Sequence, residues 1–198
     1  MKKFTLLALL FFGSLSLSAQ NPNDHYYELR DYPDSYTPGN VTARVVDGLG
    51  FRFYWASVGL RPEDLAFKPS EEARTLEQTM DHIYNLTYIV MQSTKKEATQ
   101  FPIDIEGMSY TEKRDAILGF LRTASDNLKA SSQADFEDFK IIFKYADGNS
   151  NEYPFWNQLN GPIGDALWHT GQIVSMRRTA GNPFPSGVSV LRGAKRSN

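Results

Sequence analysis

The chain has 198 residues, 41% hydrophobic and 13% aromatic, with a formal net charge of −2 and no cysteine. That composition gives one globular domain with enough apolar material for its own core, and it excludes a disordered chain. Without cysteine there is no disulfide scaffold, thiolate metal site, iron–sulfur cluster or cysteine nucleophile. The scattered arginines and slightly acidic balance leave no footprint for nucleic acid.

Met1, Lys2 and Lys3 form a positive start, residues 4–12 are almost unbroken apolar sequence, and small or apolar residues lead to Ala19. This is the pattern of a Sec signal peptide over residues 1–19, cut after Ala19 or Ser18. The apolar run is well short of the ~18–20 residues that span a bilayer. An exported protein, periplasmic or secreted, is expected, with no membrane span after cleavage. Residues 20–38 carry Pro22, Pro33 and Pro38 and read as an extended arm that packs its tyrosines on the body. His25 in this arm reads as a surface residue.

The remaining domain, residues 39–198, shows four helical segments. Over residues 40–60, Val46, Leu49, Phe53, Ala56 and Leu60 recur on one helical face. Gly48 and Gly50 inside that pattern suit close packing better than a phosphate cradle. Residues 61–73, with Pro62 and Pro69, read as a loop. A second helix starts at the N-cap Thr75 and runs to Lys95, with Leu76, Met80, Ile83, Thr87 and Val90 along its face. Residues 98–110 read as another loop. The third helix starts near Thr111 and buries Ile117, Leu121, Ala124 and Leu128.

Residues 139–145 are compatible with a strand or a helical turn, and residues 147–150 form a turn. The fourth helix covers about residues 155–180, its start blurred by Pro162 and its end marked by Gly181, Asn182 and Pro183. Four amphipathic helices with little strand predict an all-α four-helix bundle. The connections are long enough for a crossover topology.

Few residues carry chemistry. Asp165 and His169 are four apart, about 40° around a helix axis and one turn along it. His82 borders the apolar face of the second helix. If the second and fourth helices are neighbours, His82, Asp165 and His169 form a set of two nitrogens and one oxygen with coordination positions left open. Zinc, nickel, iron and manganese all tolerate such a set. The alternative is two satisfied, partly buried histidines and an aspartate that is only a first-turn charge. Gln172 and Asp81 are candidates to orient the imidazoles. Tyr54, Trp55 and Trp168 read as core aromatics, and Arg177 and Arg178 suit the dipole at a helix C-terminus.

The stretch from Phe53 to Leu60, then Phe67-Lys68-Pro69 and Thr79-Met80-Asp81-His82-Ile83, resembles the first half of a DinB-like protein. The run from Asn160 to Ile173, with Asp165-Ala166-Leu167-Trp168-His169 inside it, is similar to that family's last-helix motif, as is the tail from Arg177 to Pro183. The resemblance spans roughly residues 40–195. It implies a four-helix bundle with long crossover connections, often dimeric. It also implies a divalent metal, zinc or nickel ahead of iron or manganese, held by one histidine of the second helix and two of the fourth. By position His82 and His169 match, whereas Asp165 stands where the family has a third histidine.

Two functions follow. One is an exported metal-dependent enzyme, a hydrolase or a transferase of the thiol S-transferase kind, acting on an unspecified small molecule. The other is a non-catalytic bundle for binding or envelope maintenance, whose metal is structural or vestigial.

Overall fold

The computed structural model describes residues 25–29 and 32–196. The expected signal peptide, residues 1–19, lies outside them. The chain is mostly helical with two small sheets. In order come α1 (Pro38–Ser57), α2 (Pro62–Leu65), α3 (Leu76–Thr94), β1 (Thr99–Phe101), α4 (Tyr110–Ala130), β2 (Ile141–Tyr145), β3 (Ser150–Tyr153), α5 (Trp156–Gln158), α6 (Gly164–Thr179), β4 (Val188–Ser189) and β5 (Ala194–Lys195).

Side-chain caps begin three of the long helices. Thr37 accepts from the Asn40 amide ahead of α1, and Thr75 and Gln78 form a reciprocal capping box at α3. Ser109 and Glu112 do the same at α4, one residue ahead of the expected start. α1 stops at Ser57 because Gly59 follows in the left-handed region at φ +69°, so Leu60 falls outside the helix. At the far end, Gly181 (φ +80°) reverses the chain after α6, where the Gly-Asn-Pro sequence predicts it.

Each long helix packs on two others: α1 on α4 and α6, and α3 on α4 and α6. Their directions follow from contacts at the ends. The Tyr110 hydroxyl donates to the Ser57 carbonyl, so the end of α1 meets the start of α4 and the two are antiparallel. Lys113 pairs with Asp81 at 2.7 Å and Asn127 donates to Thr94 at 3.3 Å, so α3 and α4 run in the same direction. Arg177 reaches the last carbonyls of α1, which makes α6 parallel to α1 and antiparallel to α3. The predicted apolar faces meet inside this square: Val46, Leu49, Phe53 and Ala56 of α1, Leu76, Met80 and Ile83 of α3, Ile117, Leu121 and Leu128 of α4, and Ala166 and Ile173 of α6 are all buried.

Three regions differ from the sequence reading, and a fourth, residues 139–145, takes one of the two forms left open. The stretch read as a loop over residues 61–73 contains α2, and that over residues 98–110 contains β1. Residues 139–145 resolve as strand: β2 lies between β1, to which it is parallel, and β3, to which it is antiparallel. The fourth helical segment is not continuous. Between α5 and α6, residues Leu159–Ile163 form a π-helical turn, with Gly161 at φ −88° and ψ −113° and Pro162 unable to donate an amide.

The arm behaves as expected at two of its tyrosines. Tyr26 is buried and its hydroxyl donates to Asp47 at 3.3 Å. Its ring lies where a side chain on Gly50 would stand, so the glycine is needed for close packing, though against the arm and not a neighbouring helix. The Trp55 indole donates to the Tyr27 carbonyl at 3.1 Å. Tyr32 and Tyr36 stay exposed, as does His25.

Candidate metal centre

The antiparallel packing of α3 and α6 brings the three predicted ligands together. His82 sits in the second turn of α3 and Asp165 in the first turn of α6, with His169 one turn further. His82 Nε2 is 3.2 Å from Asp165 Oδ2, and His169 Nε2 is 3.2 Å from Asp165 Oδ1. The two imidazoles meet edge to face, with centroids 4.6 Å apart. One ligand atom from each residue lies within 4.8 Å of the others. The carboxylate thus stands between two rings, one oxygen towards each.

The electrostatics of this cluster favour a cation. His169 Nδ1 is 2.7 Å from Gln172 Oε1, one turn along α6. With the amide oxygen facing the ring, Nδ1 is the donor, and in the neutral imidazole Nε2 then carries the lone pair. That lone pair faces a carboxylate oxygen, which is also an acceptor. Two acceptors at such a distance repel unless a proton or a metal ion lies between them. His82 is held below its usual pKa, by burial first and against the opposing hydrogen bond to Asp165, with smaller lowering contributions from Arg74 and His169. The shift favours the neutral His82 ring, the form that can ligate a divalent ion. Two nitrogens and one oxygen, all half-buried, fit such an ion and keep part of its coordination sphere open to solvent.

The sequence reading placed Gln172 correctly beside His169. It misplaced three other residues. Asp81 does not orient His82: its carboxylate turns to Lys113 at 2.7 Å, because Lys113 of the parallel helix α4 is buried and needs a counter-charge. Trp168 is not a core aromatic; 73% of it is exposed, on the outer side of α6 beside His169. Trp55 and Tyr54 do belong to the core.

Arg177 serves a different helix end from the one expected. It is only 2% exposed, and its Nη1 donates to the carbonyls of Trp55, Ala56 and Val58 at 3.3, 2.8 and 3.1 Å. It caps the C-terminus of α1, not that of its own helix. Sequence gave no signal for this, since the partners lie about 120 residues away. Asn182 completes the arrangement: it accepts from Arg177 at 3.0 Å and donates to Asp64 at 2.6 Å. Asp64, fully buried, also accepts from the Arg61 guanidinium at 2.8 and 3.0 Å. The hydrogen bonds from Arg61 and Asn182 outweigh burial and hold the Asp64 carboxyl well below the usual carboxylate range.

No known protein family, curated protein or solved structure matches this chain. No helix among the described residues is long and apolar enough to cross a membrane.

Proposed function

We propose that this chain is an exported, divalent-metal-dependent enzyme, a hydrolase or transferase acting on a small molecule, built as a DinB-like four-helix bundle. The observation that carries the reading is that one ligand atom from each of His82, Asp165 and His169 lies within 4.8 Å of the others, between α3 and α6. The parallel, adjacent packing of α3 and α4 supports the crossover topology, because parallel neighbours need a connection that returns along the full helix length; residues 95–109 supply it. Asp165 in place of a third histidine adds negative charge and a hard oxygen, which widens the choice of ion from zinc and nickel towards iron and manganese.

His82 and His169 would hold the ion through Nε2 and Asp165 through a carboxylate oxygen. A bound divalent cation supplies Lewis acidity, which brings a coordinated water or thiol closer to ionisation at neutral pH. Gln172 fixes the His169 tautomer so that Nε2 faces the centre. Burial lowers the His82 pKa and so favours the neutral ring, the form that ligates. The three side chains are only half-buried, which would leave a small substrate a way to the ion.

Metal analysis of the protein purified without a histidine tag tests the reading. About one equivalent per chain is expected, lost in His82→Ala and Asp165→Ala with helical content unchanged. No metal under any reconstitution, with wild-type stability in both variants, would leave the non-catalytic bundle as the answer.

A further inference from the structure

The opposite face of α6 borders a second concavity, a cleft of about 740 Å³ against α1 and the C-terminal tail. That volume is in the range of small-molecule sites, which run to roughly 300–1,000 Å³. Two glycines open it. Gly171 on α6 has no atom within 4 Å of the place a side chain would start, and Gly48 on α1 leaves room for Arg52, whose Nη1 folds back 2.8 Å from the Gly48 carbonyl. Apolar groups from all three segments line the space: Val45 of α1, Leu167 and Val174 of α6, Phe184 and Val190 of the tail.

The charged residues of this cleft have one sign. Arg44, Arg52 and Arg178 line it, and no acidic residue does. None of the three arginines forms an ion pair among the described residues. Arg44 is steadied instead by the ring of Tyr32, 4.9 Å from its guanidinium carbon, and Arg52 by its own helix. Three guanidiniums without counter-charge, beside an apolar trough, suit a ligand with an anionic head and an apolar body.

We propose that the cleft between α1 and α6 binds a single-chain amphiphile with an anionic head, its chain lying along Leu167, Val174 and Phe184 and its head held by the arginines. This site is independent of the metal centre: residues 167, 171, 174 and 178 follow one stripe of α6, and Asp165, His169 and Gln172 another.

Isothermal titration of the purified protein tests this, with dodecanoate, dodecyl phosphate, dodecyl maltoside and inorganic phosphate as probes, each below its critical micelle concentration. At least one of the two anionic amphiphiles should bind with 1:1 stoichiometry and at least tenfold more tightly than the maltoside or inorganic phosphate, and the stronger of the two identifies the head group. Arg52→Leu and Arg178→Leu should each weaken that binding about tenfold. Gly171→Leu, whose Cβ meets no atom within 4 Å and whose side chain would occupy the cleft, should abolish it while leaving the melting temperature equal or higher. Equal binding of the neutral and anionic amphiphiles, equal binding of inorganic phosphate, no binding at all, or unchanged affinity in a folded Gly171→Leu variant would each overturn the proposal.

Discussion

The two ends of α6 hold polar clusters of opposite character. At the C-terminal end Arg177, Asn182, Asp64 and Arg61 are joined donor to acceptor, with Arg177 and Asp64 out of water. At the N-terminal end, the two oxygens of Asp165 face ring nitrogens, one of His82 and one of His169, and all three side chains remain half-exposed. A buried polar group must be matched or it destabilises the fold, so the first cluster is explained by the protein alone. The second stays half-open to solvent, and its three ligand atoms form a possible metal site. Closed polarity marks architecture at one end of the helix, and open polarity marks a candidate site at the other.

That contrast is broken or sharpened by substitution. The largest effect is expected at Arg177: Arg177→Ala strands three carbonyls at the end of α1 and should lower stability by about 3–5 kcal/mol in denaturant unfolding. If the folded variant loses its metal as well, the two ends are coupled and the contrast fails. Next comes the ion itself. At a hundredfold excess over its Kd, a divalent metal should stabilise the wild type by about 2.7 kcal/mol, and His169→Ala should remove that gain without changing the stability of the metal-free protein by more than about 1 kcal/mol. Thermal melts with and without chelator measure both.

Asp64 gives a smaller, pH-dependent signature. Its carboxyl titrates lower in the folded chain than in the unfolded one, so its contribution is present at neutral pH, begins to fall below the ordinary carboxylate pKa near 4 and is gone once pH drops beneath the folded value. Asp64→Asn should be less stable than wild type at pH 7 and should flatten the stability curve between pH 4 and 2, as read by urea unfolding across that range. The smallest effect is at Gln172. Gln172→Leu should leave stability unchanged and weaken metal affinity about tenfold, because His169 loses the partner that fixes its tautomer. An unchanged affinity would mean that the ring is held by packing alone.

What was legible in the sequence follows the range of the interaction. Thr75 as an N-cap, and the apolar faces of the first three helices, are signals within one or two turns, and the structure matches them closely. Asp165 and His169 are one turn apart and announce a shared stripe, while His82 joins them only because α3 and α6 pack as neighbours. The failures are contacts between distant segments. β1 is three residues long and pairs with a strand over 40 residues away, so nothing local distinguishes it from a loop. Trp168 was read as core from its residue type, yet α6 turns it outward; a lone aromatic carries no direction. Arg177 looks like an ordinary C-terminal arginine until the end of α1 is placed beside it.

The small sheet has a bearing on the ion's affinity. Because β1 leaves α3 and its partner β2 leads towards α6, the backbone ladder fastens together the two arms that carry the imidazoles, assisted by Ser93 donating to the Phe139 carbonyl at 2.8 Å. Those hydrogen bonds tie the segment after α3 to the segment before α5 and α6, alongside the direct packing of α3 on α6. An ion bound between the two helices would meet segments already joined, with less chain freedom left to freeze than two untied helices would have.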